Sequence, residues 1–257
     1  MNLLLFQAAE RQGNEVVLSG RRADHIRNIL RLKEGDSLRV GELNGRVGRA
    51  VIKRIDGVSV QLCVELCQEP PPPQDIELIL ALPRPIMLQR ILKQATTLGV
   101  RSFHLIRSRR VEKSFFHSPV LVPEKMKSIM IEGLEQAMDT RLPDVQVYHR
   151  FKPFVEEVLP TLEGTGLLAH PPADHSLAAL FGYSADTTAE SFASEPMQGL
   201  KNKKILLAVG PEGGFIDYEC QQFVARDFSM FTMGPRILHV DTAVVALLAQ
   251  LIFLLKQ

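Results

Sequence analysis

Four consecutive prolines, Pro70 to Pro73, divide this 257-residue chain into two stretches that cannot share one continuous set of elements. A proline run has no N–H donors and favours a stiff, extended backbone, so neither a helix nor an interior strand can cross it. Before the prolines the apolar pattern is that of short strands. Segments 16–18, 37–40, 47–52 and 58–67 are rich in Val, Ile and Leu, and Glu34-Gly35-Asp36, Asn44-Gly45 and Asp56-Gly57 separate them as turns. One helix fits between them, over 24–32. Strands at this spacing predict a small β-barrel. After the prolines the rhythm becomes strand–helix alternation. Strands are expected over 76–81, 101–106, 145–148, 166–169, 204–209 and 228–233, and helices over 86–98, 124–137, 154–162, 217–224 and 242–255. Such alternation predicts an α/β domain with a mostly parallel sheet covered on both faces. The expected division is a β-domain over 1–69, a linker over 70–75 and an α/β domain over 76–257. The stretch 183–198, poor in large apolar residues, reads as a long flexible insertion.

Composition narrows the function classes. At 46% hydrophobic residues the chain can fill two cores. No apolar run approaches the ~18–20 residues of a membrane span. The run 243–255 is apolar on nearly every side, which is the pattern of a buried or interface helix and predicts a homodimer. Cys63, Cys67 and Cys220 form no Cys-x-x-Cys pair and have no His at zinc spacing. Reduced thiols, no metal and a cytoplasmic location are therefore expected. Net charge is only +1, but eight basic residues lie between Arg84 and Lys113 against one acid, Glu112. Basic charge confined to one segment is the footprint of phosphate contacts, and Arg107-Ser108-Arg109-Arg110 follows an apolar strand directly.

Two Gly-anchored turns carry the chemistry. Gly210-Pro211-Glu212-Gly213-Gly214-Phe215 follows one expected strand, and Gly234-Pro235-Arg236-Ile237-Leu238 follows another. Both fall at the carboxyl edge of the sheet, where open α/β folds bind ligands. The glycines allow backbone to approach a ligand closely, and Asp217 is placed to cap the helix that follows the first turn. Neither the dinucleotide-binding spacing nor a P-loop lysine is present.

These turns, with Glu219 and Asp241-Thr242-Ala243, resemble the RsmE family of ribosomal RNA methyltransferases, SPOUT-class enzymes that use S-adenosylmethionine (SAM). Ala23 to Leu32 with Gly35-Asp36, Ala95-Thr96, Leu98-Gly99-Val100 and Glu135-Gln136 extend the resemblance along nearly the whole chain. It implies a PUA-like, RNA-binding barrel followed by a SPOUT domain with a deep trefoil knot near the C-terminus. It implies methylation of N3 of a uridine in 16S rRNA, with the RNA or the 30S subunit as partner. SAM would lie between Gly210, Pro211, Glu212 and Gly213 on one side and Met233, Gly234, Ile237 and Leu238 on the other. Leu168, His170 and Pro171 match a family loop near the cofactor. Arg236, His239 and Asp241 are the catalytic candidates, and Arg27, Arg31, Arg84, Arg109, Arg110 and Arg141 the RNA-contact candidates.

The chain departs from the family pattern on the RNA side. His239 replaces an Arg, Asp241 replaces a Glu, and Asp139 reverses the charge of an Arg. Lys93-Gln94 inverts a Gln-Lys pair, and Thr97 replaces a Glu. These changes leave open a diverged paralogue methylating another RNA site and a SAM-binding RNA-interaction protein without turnover.

Overall fold

The structure is a computed structural model in which residues 2–182 and 204–256 are described. The expected insertion over 183–198 lies outside the described residues. The chain forms two compact units, one of Met1–Pro73 with Lys127–Leu142 and one of Gln74–Met126 with Pro143–Gln257.

The first unit is built on β1 (Leu4–Phe6), β2 (Arg11–Gln12), β3 (Glu15–Ser19), helix α1 (Gly20–Asp24), β4 (Ser37–Glu42), β5 (Val47–Ile55) and β6 (Ser59–Gln68). The sheet order is β1-β4-β5-β6-β3-β2, antiparallel except for the β1–β4 pair, and it curls into a half-barrel. Alternate residues point inward. Val16, Leu18, Val40, Ala50, Ile52, Leu62 and Val64 fill one core. On the outer face Leu3, Leu5 and Leu134 form a second, smaller cluster. The Leu3 N–H donates to the Glu135 carbonyl at 3.0 Å, which anchors the start of the chain to segment 127–142.

The helix expected over 24–32 starts earlier and stops earlier. α1 begins at Gly20 and continues as a π-helical turn over His25–Ile29, and Arg31 then adopts a left-handed φ of 53° that ends it. The Arg141 guanidinium donates to the Pro71 carbonyl, so the proline run is pinned at that point. Asp139 is buried, and its carboxylate accepts from the N–H groups of Thr140 (2.6 Å) and Arg141 (3.1 Å). The charge reversal at this position thus closes a turn, just after Met138 with φ 59°.

The second unit alternates as the pattern predicts. Its elements are β7 (Ile76–Ala81), α2 (Pro85–Thr97), β8 (Ser102–Ile106), α3 (Pro123–Ala137), β9 (Asp144–Tyr148), α4 (Phe151–Pro153), β10 (Thr165–Ala169), α5 (Leu177–Leu180), β11 (Ile205–Val209), α6 (Asp217–Val224), β12 (Phe228–Phe231) and α7 (Val240–Leu255). The unit boundary falls inside α3, between Met126 and Lys127. The helix expected over 154–162 is instead α4, a π-helical turn over Phe154–Val158 and a 3-10 turn over Leu159–Thr161. Pro160 lacks the N–H that a continuous helix would use. The six strands lie in the order β12-β10-β11-β7-β8-β9, and every pair is parallel.

Packing between β10 and β12 depends on Gly166, which faces Phe228 in the register. A Cβ on Gly166 would sit 2.4 Å from the Phe228 ring. That ring packs on Phe223 of α6 (5.1 Å between centroids), and Phe223 packs on Phe215 (5.3 Å). Gly166→Ala should therefore cost about 1–3 kcal/mol by overpacking, read as a lower urea midpoint with an unchanged denaturant slope.

Candidate functional site

β10, β11 and β12 end level. Ala169 pairs with Val209 on one side and with Phe231 on the other, so the loops after the three strands open side by side at one sheet edge. Together they form a cleft with an apolar floor of Phe215, Phe231 and Leu247. His170 and Pro171 come from the loop after β10, and Gly210, Pro211 and Glu212 from the loop after β11. Met233, Gly234, Arg236, Ile237 and Leu238 come from the loop after β12. Thr232 and Met233, expected as strand, already belong to that loop.

Four of the expected cofactor and catalytic residues, Leu168, Gly213, His239 and Asp241, do not line the cleft. Leu168 is fully buried within β10; both sheet faces are covered, so consecutive strand residues are core and only the residues after Ala169 reach the edge. His239 is exposed at the position preceding α7. Asp241 lies in the first turn of α7, where it pairs with Arg90 of α2 at 3.2 Å and accepts from the Thr242 N–H at 3.0 Å.

The first Gly turn is held from outside the cleft. Glu219 is 2% exposed, and its two carboxylate oxygens accept from the Arg109 N–H (2.6 Å) and the Ile216 N–H (3.1 Å). The residue preceding α6 is therefore Ile216, and Asp217, expected as the cap, is the first helical residue. The Glu212 carboxylate accepts from the Arg84 N–H at 3.0 Å, and the Arg110 guanidinium donates to the Gly213 carbonyl. A Cβ on Gly213 would lie 3.1 Å from Cδ of Arg110, and one on Gly210 would lie 3.1 Å from the Phe215 nitrogen. These glycines are required where chain meets chain. Gly234, at φ 113° with nothing within 4 Å of its would-be Cβ, is the glycine whose open side belongs to the cleft.

Burial holds the His170 imidazole below the ordinary histidine range, opposed by nearby Asp217, and burial pushes the Cys220 thiol up. The two groups are 3.8 Å apart, a neutral thiol beside a neutral ring. Arg236 has no ion-pair partner among the described residues. The guanidinia of Arg31, Arg84 and Arg109 are likewise unpaired among the described residues. Arg27 instead pairs with Asp24 at 2.5 Å and donates to the Asp56 carbonyl at 2.9 Å. Sequence reading placed Glu219 only as a first-turn acid and did not anticipate the Arg90–Asp241 pair; neither partner lies near the other in the chain, so no local pattern reports them.

Residues 70–252 match the model of an RNA methyltransferase domain, and residues 18–63 that of an RNA methyltransferase PUA domain. The chain belongs to this RNA methyltransferase family. It is 30% identical over 253 residues to the ribosomal RNA small subunit methyltransferase E of Treponema pallidum, covering 96% of this chain and 88% of that one. Among solved structures, the ribosomal RNA small subunit methyltransferase E of Neisseria gonorrhoeae, bound to S-adenosyl methionine, matches with a TM-score of 0.72 at 21% identity, covering 98% of each chain. A methyltransferase of Legionella pneumophila with bound SAM matches with a TM-score of 0.74 at 20% identity, over 97% and 96% of the two chains. The second unit thus has the SPOUT-type, trefoil-knot methyltransferase fold, and the first is a PUA-like half-barrel. No helix among the described residues is long and apolar enough to cross a membrane, and no cluster of His, Cys, Asp or Glu among them could hold a metal ion.

Glu219→Ala would leave two part-buried backbone donors, on Arg109 and Ile216, without their acceptor. At about 1–3 kcal/mol for each unsatisfied donor, a loss of roughly 2–6 kcal/mol is expected by urea denaturation. Glu219→Gln, which keeps one acceptor oxygen, should lose less.

Proposed function

We propose that this chain is a homodimeric, SAM-dependent methyltransferase that acts on N3 of a uridine in 16S rRNA within the 30S subunit, in the cytoplasm. The observation that carries the reading is the cleft at the level ends of three parallel strands, with an apolar floor, an open Gly234 and an unpaired Arg236 at its rim. The residues present fit the cofactor: Phe215, Phe231 and Leu247 offer an apolar seat for a purine, and the two Gly turns offer backbone polar groups at its edges. SAM supplies a methyl group already activated on a sulfonium. What is left to the protein is position and electrostatics. Arg236 is the group we assign to stabilise the anion that develops as the uridine imide loses its proton. His239, exposed just beyond Leu238, is a second polar side chain at the same loop. Arg31, Arg84 and Arg109 are assigned to RNA phosphates. Arg27 and Arg141, already holding protein carbonyls, contribute less. Arg110 serves the cofactor turn through Gly213.

A second copy of the chain is assigned to the apolar surface beside the cleft. Ile237 is 83% exposed, Phe253 of α7 63% and Ile86 of α2 57%. Side chains of this size at such exposure call for a cover.

Methyl transfer from labelled SAM to 30S subunits lacking the modification tests the activity. Label recovered in 16S rRNA as 3-methyluridine is expected; label elsewhere in the RNA would point to a different site, and SAM binding without transfer to a non-catalytic role. Calorimetry without RNA should find SAM bound roughly tenfold more weakly, about 1.4 kcal/mol, by Arg110→Ala, because the Gly213 carbonyl loses its anchor. Sedimentation at micromolar concentration should show a dimer, and a monomer there would overturn the assembly.

A further inference from the structure

The carboxyl edge of the second unit's sheet extends past the cleft. Val209 of β11 pairs with Leu80 of β7, Ala81 of β7 with Ile106 of β8, and Ile106 with Tyr148 of β9. The loops after β8 and β9 therefore open at the same edge as the cleft. At the ~4.8 Å spacing of neighbouring strands, β9 lies about 15 Å from β11, with β7 and β8 between them. The Arg107 N–H donates to the Tyr148 carbonyl at 3.0 Å and ties the two loops together. Phe151 packs edge-on against Phe223, 5.8 Å between centroids, which holds the loop after β9 to the helix that carries Glu219.

At this edge an imidazole rests against a phenyl ring. His149, the first residue after β9, lies 5.0 Å from Phe116 between ring centroids, tilted by 45°. Phe116 is partly buried and His149 is exposed. The His149 ring nitrogens have no hydrogen-bond partner among the described residues, so Phe116 is the ring's support. Cations flank the pair. Lys113 and Phe116 stand three apart in the 3-10 helix Lys113–His117, where such side chains eclipse one another. Arg107 lies one place beyond the last β8–β9 pair, beside His149, and Arg150 follows His149 directly. None of these three side chains has an ion-pair partner among the described residues. Glu112 is the acid of this stretch, and its carboxylate accepts from the Ser114 hydroxyl at 3.4 Å.

An exposed ring, backed by a second ring and flanked by uncommitted cations, matches a nucleobase joined to phosphates. Every base has a π-face that stacks on an aromatic side chain, and the cations meet the backbone on either side. We propose that His149, held by Phe116, is a stacking platform for an unpaired base of the RNA substrate near the target nucleotide, with Arg107, Lys113 and Arg150 meeting the adjoining phosphates. An acidic peptide would use the cations but would leave the ring pair idle. The platform shares an edge with the cleft, so RNA with its target base in the cleft would run along that edge to reach it. The proposal rests on the RNA-substrate reading above. It adds His149, Phe116 and Arg150, all outside the basic segment 84–113, and it assigns base stacking where that segment offers charge.

Salt dependence separates stacking from charge. In the full chain, His149→Ala should weaken binding of a 16S rRNA transcript by roughly 5- to 150-fold in filter binding. Its log–log salt slope should stay at the wild-type value, because no phosphate contact is lost. Arg150→Gln should instead make the slope shallower by ~0.7 per lost contact. His149→Phe, which keeps a ring, should bind within about twofold of wild type on the same stacking argument. Phe116→Leu, which removes the support and keeps an apolar side chain, should repeat part of the His149→Ala loss. SAM affinity and melting temperature should be unchanged in His149→Ala. Wild-type RNA affinity in His149→Ala would overturn the platform, as would a loss in His149→Phe equal to that in His149→Ala. A shallower slope in His149→Ala would also overturn it, in favour of a phosphate contact, and equal competition by polyglutamate and RNA of the same charge would do so in favour of an acidic peptide. Failure of the wild-type protein to bind the transcript would instead overturn the RNA-substrate reading itself.

Discussion

One buried carboxylate sets the geometry of the cleft. Glu219 is acceptor-only, and its two oxygens take N–H groups from two chain segments more than a hundred residues apart, the loop after β8 and the entry to α6. Fixing that entry fixes the rest of α6. Phe223 is then held against Phe215 and Phe228, and Cys220 against His170. One side of the cleft and part of its floor therefore inherit their positions from a residue that never touches the space inside. A carboxylate suits this task better than a neutral side chain. Hydrogen bonds to an ionised acceptor are about twice as strong as neutral ones, and one side chain here serves two part-buried donors.

The sequence exposed the architecture because strand–helix alternation and Gly-Pro turns are local signals. The proline run, the parallel sheet and the edge at which the two turns open were all readable from pattern alone. What was not readable is set by contacts distant in sequence. The glycines of the first turn read as ligand-facing positions; Gly210 does line the cleft, and Gly210 and Gly213 are also needed because Phe215 and Arg110 pack against them. Leu168 looked like part of a binding loop because it precedes His170-Pro171, yet a residue one place before the strand's end in a sheet covered on both sides is core. Asp217 looked like a cap because its type favours capping, but Glu219 satisfies the Ile216 N–H from two positions further on. Lys127–Leu142 reads as helix and turn in the sequence, and nothing in its pattern tells that it packs with the β-rich unit.

Charge clustering marks a place, and the fold decides which donors of each arginine are already in use. The basic segment 84–113 does border the cleft, but three of its arginines also hold it together. Arg84 and Arg109 act through backbone N–H groups, which leaves their guanidinia unpaired, whereas Arg110 commits its guanidinium to the Gly213 carbonyl. The first two can therefore meet phosphate without disturbing the turn. Arg110 has one guanidinium nitrogen on the Gly213 carbonyl, so an anion that drew it away would release that carbonyl. The same residue type thus has two consequences at adjacent positions, decided by which of its donors the fold already uses.

The two sides of the cleft are held very differently. The loop over 210–216 is pinned at Glu212, Gly213 and Ile216 by three separate elements. Among the described residues the loop over 232–239 is bonded at its ends, where the Thr232 N–H donates to the His175 carbonyl at 2.8 Å and the His239 carbonyl accepts from the Ala243 N–H at 2.8 Å, and within it the Thr232 hydroxyl bonds the Gly234 N–H and carbonyl at 3.2 and 3.3 Å. Beyond that point Arg236 has no ion-pair partner among the described residues and Ile237 is 83% exposed. A side held by so few contacts gains most from what binds against it, because each added contact orders groups that the chain alone leaves free. A cofactor on its inner surface and a second copy on its outer surface would order the same five or six residues. Each would then lower the entropic cost of the other, so in a dimer cofactor affinity and association would be linked through Ile237 and its neighbours and would need no change in the rigid side at all.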